Sequence, residues 1–460
     1  MNRLLKLKIS KDTEISTDLI NRLIELHSFE IAGYLARQQY YEGKHDILAR
    51  EVDEKSRPNN KLVNNHAKYI TDVANGYFLG MPVTYNSKDT NYNKSLQDIF
   101  EKNNESDENS EMGKQCGIKG ICYELLYLNE AGEIKFKYVK AEEGFLVYDD
   151  TIEENVMFGV RYYLTKNILT NEEITKIEVY TASTGMYYEK RDSVTALISE
   201  TPHYFQEVPL IEYINNEEQQ GDFEQVITLI NAYNDSQSNT ANDFEYFSDA
   251  YLVLSGMSGT ESTDIAEMKK QRVLLVDENG QAAWLTKEIN DQATENYKNR
   301  LQKDIHLLSN VPKLTDEDFA GNLSGVALRF KLWGLEQLAV NKERKFKSSL
   351  QQRLKIITNI LNIKGNVFDY STVDISFYRN IPQNILEIVQ MVTSIGDTVS
   401  EQTKLEQLPF VDDVQEEIKR KEEEYQKKLD EYQMNEGAMN EGQTILAGQG
   451  NTEGRQGVQE

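Results

Sequence analysis

An α+β fold, with long helices carrying most of the chain and strands gathered in its first half, follows from three features. Apolar residues recur at three and four along the stretches that begin near Ser16, Ile289 and Gly325, the signature of amphipathic helices. Between Ile121 and Tyr138 the period changes to two. Pro is rare, 7 of 460 residues, whereas Tyr reaches 26, which favours uninterrupted helices and aromatic-rich strands over loops. A chain this long with 39% hydrophobic residues is expected to bury two or three small cores rather than one.

Ser16 stands as N-cap before a first helix striped by Ile20, Leu23, Ile24, His27, Ile31, Tyr34 and Leu35, ending near Gly43. His27 lies within that stripe and reads as a packed core histidine. A second helix runs from about Asn64 to Gly80 and Pro82, with Ala67, Ile70, Ala74 and Tyr77 on one side. From Ile121 the alternation of Tyr123, Leu125 and Tyr127, a turn at Asn129 to Gly132, and Ile134, Phe136 and Tyr138 make a hairpin. Strand-like stretches at Phe158–Tyr163, Ile177–Tyr180 and Met186–Tyr188 are expected to extend that hairpin into one mainly antiparallel sheet.

Past Gly221 a helix opens with Phe223, Val226, Ile227 and Ile230, yet its middle, Asn231 to Asn242, is polar almost throughout. A solitary helix of that composition is unstable. Neighbouring copies of the chain and a water-filled space would stabilise it, which makes Asn234, Asn239 and Asn242 candidates to line that space. A short insert follows, with strand candidates Tyr251–Leu254 and Val273–Val276 and a turn at Asn279 and Gly280. Ile289, Ala293, Tyr297, Leu301, Ile305 and Leu308 mark a second long helix ending before Pro312. The polar stretch Lys313 to Ser324 precedes a third helix, Gly325 to about Ile363, striped by Phe346, Leu350, Leu354, Ile357 and Leu361. After Pro382, Ile385, Ile388, Val389 and Val392 mark another helix, and Ser400 caps a shorter one. The charged run Val411 to Gln433 reads as a solvent-facing helix or coiled coil, and from Asn435 the composition is that of a disordered tail, removable without loss of assembly.

The formal net charge is -26, which argues against tight nucleic-acid binding through phosphate neutralisation but suits a wall past which a polyanion slides. The densest basic cluster, Arg329, Lys331, Lys342, Arg344, Lys345 and Lys347, reads first as a solvated helix face; Lys342, Arg344, Lys345 and Lys347 are the alternative candidates for a DNA contact. The two cysteines, Cys116 and Cys122, are expected to be reduced and buried, being too few for a secreted disulfide framework and without a nearby His for zinc. With neither a signal peptide nor a membrane-length apolar run, a soluble cytoplasmic product is expected.

No chemistry-bearing constellation emerges. There is no GxxxxGK[ST] loop, and the pair Gly256 and Gly259 has neither its spacing nor its Lys. His66 has no second His at ligand spacing, and Asp149 and Asp150, adjacent on a strand, point to opposite faces. The acids Asp316, Glu317 and Asp318 lack the alternation of a calcium loop. No catalytic residue, metal or cofactor is assigned.

Four strings in order, "YYEGKH" at Tyr40–His45, "NNKLVNNHAKYITDVANGYFLGMPVTY" at Asn59–Tyr85, "NLSGVALRFKLWGLE" at Asn322–Glu336 and "LPFVDDVQEEIKR" at Leu408–Arg420, resemble recurrent stretches of the portal proteins of tailed phages infecting Gram-positive bacteria. The resemblance implies a portal-protein fold: wing at 1–220, stem helices at 221–248 and 287–311, clip at 249–286, tunnel loop at 312–324, spine helix and return to the wing at 325–381, crown at 382–433 and tail at 434–460. It further implies a homo-oligomeric, dodecameric ring at the portal vertex of the virion, assembled in the host cytoplasm, through which double-stranded DNA passes. Expected partners are the terminase motor, capsid and scaffolding proteins and a head–tail adaptor, with no membrane. On this mapping Lys313, Asp316, Glu317, Asp318, Gly321 and Asn322 form the channel constriction, and Tyr251, Leu254, Val273, Asp277 and Trp284 the clip surface that docks partners. The rival classes are a packaging nuclease or terminase subunit, which the missing phosphate loop disfavours, and a helical scaffold, which leaves the arrangement from Phe223 to Leu361 without a purpose.

Overall fold

The computed structural model describes residues 6–52, 58–247, 251–255, 281–285, 291–314, 325–380, 385–408 and 417–428, with the single positions 261, 263, 411 and 414. Two compact units divide the chain, Met1–Asn380 and Ile381–Glu460.

In the first unit, helix α1 (Thr17–Tyr41) begins where the side chain of Ser16 accepts from Leu19 N, and its apolar stripe lies on a sheet. Ile20 and Leu23 pack there against Phe145, Val147, Phe158, Val160, Ile177, Val179 and Tyr188. The sheet has six strands in the order β1 (Leu7–Ile9), β5 (Gly144–Asp149), β6 (Val156–Lys166), β7 (Glu173–Tyr180), β8 (Thr184–Arg191) and β9 (Val194–Pro202). All its pairings are antiparallel except β1 with β5. Asp149 is buried at the end of β5, where it closes a turn by accepting from Thr151 and Asn155.

The hairpin of β3 (Ile121–Leu128) and β4 (Ile134–Val139) belongs to a different, three-stranded sheet, completed by β10 (Leu210–Ile214) on the other side of β3. The expectation of one continuous sheet is thereby corrected. Strands β5 to β9 pair in sequence with one another, and β1 takes the free edge of β5, while the edge of β3 away from β4 is taken by β10.

Helix α4 (Glu105–Lys119) packs on the three-stranded sheet, and α2 (His66–Leu79) and α3 (Thr90–Glu101) pack against α4. The sequence reading assigned no helix to 90–119. In α4 the buried positions are Glu105, Glu108, Asn109, Gly113, Gln115 and Gly117 as much as Met112 and Ile118, so no apolar stripe announces it. Gly113 lets α4 approach α2, since a Cβ there would run into Leu79 and Asn75, and Gly120 (φ 88°) ends the helix in the left-handed conformation. Cys116 and Cys122 are buried free thiols, Sγ to Sγ 3.5 Å.

The long C-terminal helix of this unit runs as α7 (Gly325–Lys331) and α8 (Trp333–Ile363), with one irregular residue, Leu332 (φ -88°, ψ 1°), between them, across which Leu332 N still donates to Leu328 O and Glu336 N to Leu332 O. Helix α8 crosses β10 and α2 and brings Arg353, fully buried, into the middle of the unit. In the second unit, α9 (Ile385–Ile395) precedes α10 (Glu401–Leu405), whose N-cap Ser400 accepts from Thr403 N. Residues 417–428 form a solvent-facing helix whose Lys421 pairs with Glu401.

Candidate channel-forming elements

Helix α5 (Ile227–Phe247) and helix α6 (Asp291–Leu308) lie side by side, with a two-stranded hairpin between them in the chain. At the root of α5, Phe223, Val226, Ile230 and Tyr233 are buried, and α6 contributes Leu301 and Ile305. Lys298 of α6 is also buried, paired with Glu295 and 3.5 Å from Gln237.

The polar middle of α5 finds its partners within the same chain. Asn64 N donates to Asn234 Oδ1 at 2.8 Å, Leu62 N to Ser238 Oγ at 2.9 Å, and Asn60 N to Asn242 Oδ1 at 2.7 Å. A row of side chains spaced by four residues thus serves as acceptors for an extended backbone segment that has no strand partner. Asn234 is fully buried, its Nδ2 donating to His45 Nδ1 at 2.8 Å, so it does not face a water-filled space; the expectation for this residue is corrected. Asn242 is half-buried under Asn60, and Asn239 is exposed, accepting from Arg50 at 2.9 Å. His45 Nε2 donates to Tyr40 O, and burial lowers the pKa of His45.

At the foot of α6 a second cluster holds the chain as it leaves the helix. His306 Nδ1 bonds Val311 O at 2.9 Å, and the Tyr69 hydroxyl accepts from Leu314 N at 2.7 Å. The His306 ring lies 5.6 Å from that of His66, a neighbour 240 residues away in sequence that spacing could not reveal. His66 is pushed down to about 4, first by burial and then by the positive neighbours His306, His45 and Lys313. Of the expected constriction, Lys313 lies 3.5 Å from Gln302. Asp316, Glu317, Asp318, Gly321 and Asn322 lie outside the described residues.

The basic cluster on α8 does not act as one face. Lys342 is buried, 2.5 Å from the fully buried Asp222, which corrects both its reading as solvated and its candidacy for DNA. Lys345 pairs with Glu217, and Lys347 donates to Ile375 O at 2.7 Å; Arg344 is exposed. The charges follow helical spacing, but their partners come from the segment before α5 and from β13 (Asp374–Ser376).

The insert is a hairpin of β11 (Tyr251–Ser255) and β12 (Gln281–Leu285), in which Tyr251 faces Leu285, Leu252 faces Trp284 and Leu254 faces Ala282. Tyr251–Ser255 thus pairs with Gln281–Leu285; the strand candidate Val273–Val276 and Asp277 lie outside the described residues. Among the described residues no helix is long and apolar enough to cross a membrane.

Two relatives share this chain's length as well as its pattern. It is 28% identical to the portal protein of Bacillus phage SPP1, over 92% of this chain and 89% of that one. It is 25% identical to the portal protein of Clostridium phage phiCD119, over 83% of this chain and 90% of that one. The family described as phage portal protein, SPP1 Gp6-like, matches residues 20–430, from within α1 to beyond the charged helix of the second unit. On that match, which takes in the helix pair, its hairpin and the long helix after them, the chain belongs to the SPP1 Gp6-like family of phage portal proteins.

Proposed function

We propose that the chain is the subunit of a closed homo-oligomeric ring, a dodecamer in the capsid, that conducts double-stranded DNA during packaging and exit. The observation that carries this reading is the family match across residues 20–430, a range that contains the whole helix–hairpin–helix arrangement. Residues 1–220 serve as wing, 221–248 and 287–311 as stem, 249–286 as clip, 325–381 as spine and return, and 382–433 as crown. The 312–324 loop is the narrowest collar of the channel, and the hairpin end is the docking platform for the terminase motor and head–tail connector. The subunit works as a component of the virion vertex and carries out no catalytic step.

Asn239, exposed on α5, remains the best candidate of the three asparagines for a wet channel wall, whereas Asn234 secures the helix to its own wing. Negative-stain imaging of the purified full-length protein tests the central claim. Closed rings with an axial hole are expected, and a monodisperse monomer at micromolar concentration would overturn it. The collar is tested by replacing Asp316, Glu317 and Asp318 with Lys and measuring ring assembly and packaged DNA separately. Assembly without packaging is the expected result; normal packaging would remove the loop from this role.

A further inference from the structure

His66 and Tyr69, three residues apart at the start of α2, share one face of that helix. The His66 ring packs edge-on against Tyr233 of α5, with centroids 5.1 Å apart, and edge-on against His306 of α6 at 5.6 Å. Tyr69 packs edge-on against the same His306 at 5.5 Å. One turn of α2 thus touches both helices of the pair.

Helix α6 stops at Leu308, and Asn310, in the left-handed conformation (φ 58°), turns the chain away from it. Val311 to Leu314 lie in no helix or strand, so their backbone groups lack the partners that regular structure supplies. Two side chains meet that need. His306 Nδ1 donates to Val311 O at 2.9 Å. The Tyr69 hydroxyl donates to Pro312 O at 3.2 Å and accepts from Leu314 N at 2.7 Å. A phenol can do both at once, having one hydrogen and a free lone pair. Val311 is fully buried and Leu314 is exposed, so the chain passes from the interior to the surface across these bonds.

The two ties differ in where they lead. His306 holds the segment to the helix it has just left, whereas Tyr69 holds it to a helix more than 240 residues earlier in the chain. A segment tied by His306 alone would follow the end of α6. Tied by Tyr69 as well, it starts from a point fixed on α2.

We propose that Tyr69 is a positioning residue for the loop that follows α6: its hydroxyl fixes, relative to α2, the point from which the channel collar starts. The consequence for the collar rests on the portal reading; the hold of Tyr69 on Pro312 and Leu314 does not. Loss of the hydroxyl leaves the ring and its contact with His306 in place, so Tyr69→Phe removes the bonds without emptying the site. The tie is then lost alone.

The test uses the full-length protein and particles carrying Tyr69→Phe, with Tyr41→Phe as control, since that change removes a hydroxyl bonded to Asp72 of the same helix. Hydrogen exchange at Leu314, the urea unfolding midpoint, ring formation and packaged DNA are measured. In Tyr69→Phe, exchange at Leu314 is expected to quicken by about threefold to tenfold, the amount that one net hydrogen bond of local protection represents. The unfolding midpoint and the rings are expected to stay as in the wild type while packaged DNA falls, and Tyr41→Phe is expected to change neither exchange at Leu314 nor packaging. Tyr69 replaced by para-aminophenylalanine, which returns a polar donor and a lone pair at the same place, should restore exchange and packaging; a role in packing alone would show no such rescue. Unchanged exchange at Leu314 in Tyr69→Phe would overturn the proposal, and so would faster exchange with normal packaging. If Tyr69→Phe does not fold, His306→Phe, which keeps a ring but cuts the tie to Val311, shows what Tyr69 holds by itself: lost protection at Leu314 in that variant would overturn the proposal. A wild-type chain that forms no rings would sink the portal reading, and the exchange comparison would still decide whether Tyr69 holds the segment.

Discussion

Two buried polar centres hold the first unit together, and they are built on opposite principles. In the wing, Arg353 donates to Glu124 at 2.9 Å, to Glu105 at 3.0 Å and to Asn109 at 2.8 Å, with its guanidinium 4.7 Å from the Phe136 ring centre. Tyr213 donates to the same Glu124, and Tyr85 to Glu105. Beside α5, the centre is neutral: Asn234 joins the backbone of Asn64 to His45, and Ser238 receives Leu62 N. The charged centre gathers α4, β3, β10 and α8, elements scattered across more than 240 residues, around one side chain with five donors. The neutral centre zips one helix to one extended segment and spreads its bonds along it.

The difference lies in what happens when a member is lost. Removing a buried charge leaves its partners charged and unpaired, whereas removing an amide leaves only unsatisfied dipoles. Arg353→Met is therefore expected to destabilise the unit most, by about 3–5 kcal/mol in urea unfolding. Adding Glu124→Leu should return part of that loss; a double variant worse than the single would mean that the network is not what makes Arg353 costly to remove.

Lys342 and Asp222 form a second charged pair, with Asn215 donating to the other Asp222 oxygen at 2.9 Å. Lys342→Ala is expected to cost about 3 kcal/mol, while Arg344→Ala and Lys345→Ala, on the same helix, stay within about 0.5 kcal/mol. Equal effects from all three would erase the distinction between buried and surface cations drawn here. Asn234→Ala, in the neutral centre, is expected to cost about 1–3 kcal/mol. A cost as large as that of Arg353→Met would show that the two centres are energetically alike.

The effects of pH run in opposite directions. His27 and His66 are both lowered to about 4 by burial, and His45 is lowered as well. The unfolded chain then binds more protons than the folded one, so stability is lost as pH falls from about 6.5 towards 4. At the neutral centre, protonated His45 would set a donor against Asn234 Nδ2, so His45→Gln should make that acid loss less steep. Glu212 is raised to about 7 by burial, so its contribution is complete at low pH and is lost between about 4.5 and 7. Glu212→Gln should gain about 2–3 kcal/mol at pH 8 relative to pH 5. An unchanged profile in that variant would remove Glu212 from the account.

Where a helix buries an apolar stripe, its presence was legible from residues alone. The N-caps Ser16 and Ser400, the stripe of Ile20, Leu23 and His27, and that of Phe346, Leu350, Leu354 and Ile357 all stand where periodicity placed them. Helix α3 was legible too, in Tyr92, Leu96 and Phe100 after the cap Asp89, and went unread. Helix α4 was not, because its buried face is made of acids, amides and glycines whose partners lie far off in the chain. The same reason hid the site. Asn234 looked like a channel residue because its partner is the backbone of Asn64, and Lys342 looked like a surface cation because its partner is Asp222.

Local propensity and apolar spacing, which are properties of neighbours in sequence, determined the helices α1, α2, α5, α6 and α8 and the hairpin of β3 and β4. The ordered strings that resemble portal proteins are also a property of sequence, and the match over residues 20–430 agrees with them. Tertiary structure alone decided that the β3–β4 hairpin and the strands β5 to β9 lie in separate sheets, and which polar side chains are buried. A polar side chain carries no sign of its partner, and only the meeting of distant segments settles whether a charge is solvated or paired.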